Sequence, residues 1–197
     1  MLVFRMTDQL LLGTAPFDVA RCTVDCFMSA GQLVWGVEIS TNPRSVEVEA
    51  GELDTWAPSV VADRLFQTPP GALQAWTEFG RRKLAWGEAD PSRDPTAVVR
   101  VYESEPIGEG TAELELTEGS QRVTIRGRCD LFCGANFDRA IGVDVLCHVD
   151  RLVFLAGSLN EKAAREALRP HLDERAFMFD SNDGVARLSV ELRSNRG

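Results

Sequence analysis

The chain has two histidines, and His148 is the one best placed for chemistry. From Ile141 to Ala156 apolar and polar residues alternate, so Asp144, Leu146, His148 and Asp150 fall on one strand face. A carboxylate two positions from an imidazole on a strand can orient the ring and raise its basicity, as a general base requires. His148 with Asp144 or Asp150 is therefore the candidate catalytic set. No Gly-x-Ser-x-Gly elbow marks a nucleophile. The competing reading is a polar strand face with a histidine among aspartates. His171 follows Pro170 at a helix end, where a cation suits the dipole, and reads as structural.

Arg122, Arg126 and Arg128 project from one strand face, and three planar guanidinium forks in a row can grip a phosphate or carboxylate. A cross-strand ladder with Glu113 and Glu115 accounts for Arg122 and Arg126, leaving Arg128, opposite Thr111, to explain. Arg81-Arg82-Lys83 is the chain's basic run, a second candidate anion site at Arg81 and Arg82. On a helix end it would instead pair with Glu78 and Glu88. Trp76, Phe79 and Trp86 around it are candidate interface anchors or core residues.

Five cysteines invite a metal reading. Cys22-Thr-Val-Asp-Cys26 and Cys129-Asp-Leu-Phe-Cys133 share a four-residue step, but on a strand that step spans roughly 13 Å, too far for a chelating pair. They read as core thiols, and no metal or cofactor is expected. Asp180-Ser-Asn-Asp-Gly184 fails as a calcium loop, because its glycine comes one position early and no glutamate closes it. Gly157-Ser158 opens a helix after a strand, but one glycine is far short of a phosphate loop.

Three hairpins must position these residues. Arg21 to Ser29 and Gln32 to Ser40, turning at Ala30-Gly31, put Cys22, Val24, Cys26 and Met28 on one face with Leu33, Trp35, Val37 and Ile39. Ala112 to Glu118 and Gln121 to Cys129, closed by Gly119-Ser120, set Leu116 opposite Val123, Leu114 opposite Ile125 and Glu113 opposite Arg126. A third turns at Asp183-Gly184, pairing Phe179 with Leu188, Phe177 with Val190 and Asp180 with Arg187. Further strands are expected at Leu2 to Met6, Leu10 to Leu12, Ser45 to Ala50 and Ala97 to Glu103.

Pro58 suits the first turn of a helix that would bury Val61, Leu65 and Phe66. Ala72 to Ala85 reads as an amphipathic helix with Leu73, Trp76, Gly80 and Leu84 on its stripe. Ser158-Leu-Asn-Glu161 has the form of a capping box, opening a helix that ends near Leu168. Gly87 to Thr96, with two prolines, is a loop. The expected class is α+β: a mainly antiparallel, hairpin-rich curled sheet of nine or ten strands with two or three helices packed on one face, in a single domain over 1–197.

At 197 residues, 44% hydrophobic and 26% charged, the chain has the composition of a globular domain. Its net charge of −9 disfavours nucleic acid and anionic membranes; solubility accounts for it, and a basic protein partner or cationic ligand is the sharper reading. No membrane-length apolar run or secretion leader is seen, and the odd cysteine count suits a cytoplasm. In composition and architecture the chain is similar to bacterial immunity proteins and other protein-binding inhibitors. The expectation is thus a non-enzymatic acidic binding module. A small-molecule pocket or enzyme using His148, and a subunit of an obligate assembly or homo-oligomer, are the alternatives.

Overall fold

The computed structural model describes residues 8–49, 51–88, 90, 92–133, 136–182 and 184–192. The strand expected over Leu2 to Met6 lies outside them. Period-two alternation governs most of the described chain, and strands occupy 64% of it. The α+β expectation is corrected on that ground: the protein is mainly β, with a large curled antiparallel sheet and one helix longer than a single short turn.

Strand β1 (Gln9–Leu12) pairs with the start of β2 (Ala15–Ser29), and β2 turns into β3 (Gln32–Thr41). Ala30 and Gly31 have φ of 49° and 75°, the left-handed pair of a type I′ turn. Cys26 faces Trp35, Val24 faces Val37 and Cys22 faces Ile39, as the alternation requires, and all six are fully buried.

Next come β4 (Arg44–Glu49), β5 (Glu52–Trp56) and β6 (Ser59–Thr68). The helix expected after Pro58 is instead strand β6, paired along β3. Its helical spacing arises from a β-bulge: Arg64 takes φ 55°, and the register jumps between Val37 opposite Ala62 and Trp35 opposite Phe66. That extra length brings Leu65 and Phe66 both into the core.

The helix expected over Ala72 to Ala85 is also absent. One 3₁₀ turn, Trp76–Phe79, leads through Gly80 at φ 70° into strand β7 (Gly80–Ala85). Burial then alternates residue by residue, so Arg81 and Lys83 lie exposed while Arg82 and Leu84 are half-buried. The periodicity misleads because Trp76 and Phe79 belong to a turn and Leu84 to a strand.

Beyond the Gly87 to Thr96 connection follow β8 (Ala97–Arg100), β9 (Ser104–Pro106), β10 (Gly108–Leu116), β11 (Gln121–Cys133), β12 (Asn136–His148) and β13 (Arg151–Gly157). Helix α1 (Glu161–Leu168), a 3₁₀ turn (Glu174–Ala176), β14 (Met178–Asn182) and β15 (Val185–Glu191) complete the chain. The path β7-β10-β11-β12-β1-β2-β3-β6-β8-β9 forms one sheet. Because β9 runs through Ile107 directly into β10, and lies against β11, the path returns on itself as a roll.

Strand β2 is the fork of this roll. Once β1 has ended, its free edge takes β13 in the one parallel pairing among the described residues, Thr23 to Phe27 against Arg151 to Leu155, and β15 and β14 follow outward. Asp150 holds the fork: its carboxylate accepts the Cys22 amide at 2.8 Å, and its own amide donates to the Cys22 carbonyl at 2.9 Å. One apolar cluster fills the inside, from Leu10 and Phe17 through Trp35 and Val60 to Ile125, Phe154 and Leu168. Trp35 sits against Phe79 at 4.8 Å and donates its indole N–H to Thr68.

The β10–β11 hairpin departs from its expected register by two residues. Leu114 faces Val123, Leu116 faces Gln121 and Glu115 faces Arg122. A shift of two leaves every side chain on its proper face, so hydrophobic patterning cannot exclude it. The turn decides. Thr117 bonds Ser120 through its amide (2.9 Å), and its hydroxyl accepts from the Ser120 amide (3.1 Å), fixing a four-residue loop in place of Gly119-Ser120 alone.

The last hairpin keeps Phe179 opposite Leu188 and Asp180 opposite Arg187. Its Gly184 has φ 76°, while Asp183 lies outside the described residues. On α1 the cap is Asn160, whose side chain accepts the Ala163 amide at 3.0 Å, and not Ser158. Asn160→Ala should therefore cost about 1 kcal/mol in urea unfolding, with Ser158→Ala within about 0.5 kcal/mol of wild type.

Candidate functional site

His148 stands on the outer face of β12, as the alternation implies, but neither Asp144 nor Asp150 orients it. Its Nδ1 lies 2.8 Å from Oδ1 of Asp8, and its backbone amide donates to the same oxygen at 3.0 Å. The missing carboxylate comes from just before β1, which the sheet places beside β12, a neighbour 140 residues away that no local spacing reveals. Asp144 pairs with Arg126 at 3.2 Å, and Asp150 is committed to Cys22. The arrangement is an oriented imidazole with Arg122 opposite on β11.

The arginine row reads differently from its expected register. Arg126 bonds Asp144 and not Glu113, because the two-residue shift sets it opposite Thr111 on β10. Arg128, expected opposite Thr111, lies between Gly108 on β10 and Gly142 on β12. Arg81 bridges Glu113 at 2.6 Å and not Glu78 or Glu88. Arg82 turns the other way, its guanidinium 4.4 Å from the Phe79 ring centroid. Alternation along β7 thus parts Arg81 from Arg82, and they form no common anion site. On this outer face of β7, β10, β11 and β12, two ion pairs join acid to base, Arg81 with Glu113 and Arg126 with Asp144.

Phe79 is core, wedged between Trp35 and Phe66. Trp76 and Trp86 are half-buried against the same cluster, and Trp86 donates its indole N–H to the Ile107 carbonyl at 2.7 Å. Cys22, Cys26, Cys129 and Cys147 are buried free thiols. Cys22 is pushed up by its hydrogen bond to Cys147 and by burial, and Cys26 by burial. High thiol pKa values disfavour thiolate chemistry. The Cys133 side chain lies outside the description. Among the described residues no three His, Cys, Asp or Glu side chains converge as metal ligands, and no helix is long and apolar enough to cross a membrane. His171 is buried with its Nδ1 unbonded, and burial lowers its pKa.

Surplus acid is found elsewhere. Strands β4 and β5 form a two-stranded ribbon inserted between β3 and β6, and among the described residues they pair only with each other. Its base is bolted by Thr41 Oγ1 donating to the Pro58 carbonyl at 2.7 Å and by Arg44 reaching the Pro16 carbonyl. Val46, Val48 and Trp56 face the core cluster. Glu47, Leu53 and Thr55 are exposed, Leu53 to 69%. Residues 44–56 carry Glu47, Glu49, Glu52 and Asp54 against Arg44 alone.

The β8–β9 turn adjoins this ribbon. Trp56 donates its indole N–H to the Tyr102 hydroxyl at 2.9 Å, and the rings meet edge to face at 6.1 Å. Tyr102 is 54% exposed and is followed by Glu103 and Glu105. Burial raises Glu105 above the usual carboxylate range, with Glu103 and Asp130 adding like-charge repulsion. No ion pair links Glu47, Glu52, Asp54, Glu103 or Glu105 to a base among the described residues. Sequence reading missed this corner because its expected strand ended at Ala50; the short alternation Glu52-Leu-Asp-Thr55 was the available signal.

Comparison of the chain with protein-family models, with curated proteins and with solved structures gave no match.

Proposed function

We propose that this chain is a non-enzymatic binding module whose acidic surface engages a more basic protein. What supports the reading is the uneven placement of charge. On the ladder face Arg81 pairs with Glu113 and Arg126 with Asp144, while Glu47, Glu52, Asp54, Glu103 and Glu105 on the ribbon and the β8–β9 turn make no ion pair among the described residues, and Leu53 and Tyr102 are exposed there. Unanswered charge speeds encounter with an opposite partner, and exposed Leu and Tyr supply contact area once the partner has docked. The buried free thiols suit a reducing cytoplasm.

Immobilised protein should capture a basic protein stoichiometrically from source-cell lysate at about 0.15 M salt and release it several-fold above that, where the Debye length shortens to a few Å. Capture unchanged at high salt would remove the electrostatic basis of the reading. No captured protein at either salt would overturn it.

A further inference from the structure

Resting on that reading and giving its partner a chemical form, we propose that the β4–β5 ribbon pairs with an extended basic segment of the partner. In that segment Lys or Arg alternates with an apolar residue, and it lies alongside β5 as an added strand.

The ribbon itself specifies the occupant. A two-stranded sheet leaves outward backbone donors and acceptors unpaired, and such an edge is a template for a further strand. Among the described residues neither β4 nor β5 has another strand beside it. The Thr55 amide is satisfied by its neighbour Asp54, at 2.7 Å from Oδ1.

Register then reads the partner's sequence. Along β5 the order is acid, apolar, acid, polar: Glu52, Leu53, Asp54, Thr55. Side chains directly across a strand pair lie on the same face, so opposite charges pair across it and apolar residues pair on the other face. The complement of Glu52-Leu-Asp-Thr55 is Lys/Arg, apolar, Lys/Arg, polar. Acidic chains, including a second copy of this one, are repelled by the same charges.

The probe is a fluorescent seven-residue peptide of alternating Lys and Val, set against one of alternating Lys and Ser with equal charge. Anisotropy at about 0.05 M salt, where screening is weak, should show saturable binding of the Lys–Val peptide and weaker binding of the Lys–Ser peptide. Leu53→Ser and the pair Glu52→Lys with Asp54→Lys should each weaken Lys–Val binding about tenfold, a loss of about 1.4 kcal/mol. Leu53 is exposed, so its variant keeps the fold, which circular dichroism checks. Amide exchange over residues 52–56 should slow in the complex.

Equal binding of the two peptides, wild-type affinity in the variants, or unchanged exchange would each overturn the proposal. Lysate capture that survives Glu52→Lys with Asp54→Lys would sink the ribbon assignment while leaving the wider reading standing. Failure of the wild-type protein to capture any basic protein would sink the wider reading itself.

Discussion

Gly110→Ala should lower the unfolding free energy by about 3 kcal/mol, the upper end of what overpacking costs. A Cβ at Gly110 would lie 2.2 to 2.8 Å from three indole atoms of Trp86. That ring cannot swing aside cheaply, because its N–H is bonded to the Ile107 carbonyl at 2.7 Å. Ile107 is the residue through which β9 becomes β10, and its own side chain sits flat on Gly127, where a Cβ would come within 2.4 Å of Cγ2.

Both glycines are thus seats for the closure of the roll, and Gly127→Ala should be similarly costly. Urea unfolding would measure both. Gly119→Ala, with open space around its Cα, is the control and should change stability by less than about 0.5 kcal/mol. In the Gly110→Ala background, Trp86→Ala should cost less than it does alone, since it removes the clash. Additive losses would show that the indole does not make the seat.

The second large effect belongs to Asp25. Its carboxyl is raised to about 6, chiefly by burial and then by Asp63 and Glu38, with its own backbone amide pulling the other way. It stands on the outer side of β2 opposite Gly36, which leaves it room: a Cβ there would lie 3.2 and 3.3 Å from the two carboxylate oxygens. Between the unfolded value near 3.8 and the folded value near 6, the native state holds more protons than the unfolded one. Stability contributed by this group is therefore present below about pH 4 and lost as pH rises through 6.

At about 1.4 kcal/mol per pH unit, Asp25→Asn should be more stable than wild type by about 2 to 3 kcal/mol at pH 8 and nearly equal to it at pH 4. Chemical denaturation across that range measures the difference, and a gap independent of pH would show that folding leaves the Asp25 pKa unshifted. His171 acts in the opposite sense. Its folded pKa lies below the ordinary histidine value, so its contribution is present above about pH 6.5 and is lost as pH falls through the lowered value. Comparing Asp25→Asn with wild type, rather than reading wild type alone, separates the two.

Sequence by itself determined the local matters: which residues alternate, where Ala30-Gly31 turns β2 into β3, that Cys22, Val24 and Cys26 point inward, and that Phe179 meets Leu188. These follow from side-chain polarity at period two and from turns that need left-handed residues, both properties of neighbours in the chain. Elements with mixed signals went astray for identifiable reasons. A β-bulge at Arg64 and a 3₁₀ turn before Gly80 each shift the phase of an alternating pattern and so counterfeit helical spacing.

Only the tertiary structure decided how the pieces meet. A two-residue slip in β10–β11 preserves every face, so the Thr117 turn chose the partners of Arg122 and Arg126. Bringing β1 beside β12 gave His148 its Asp8, and inserting the ribbon between β3 and β6 set Trp56 of the acidic ribbon against Tyr102 of the β8–β9 turn. Contacts between residues far apart in sequence depend on sheet order, and sheet order is set by the total burial of the roll. No window of the chain carries that sum.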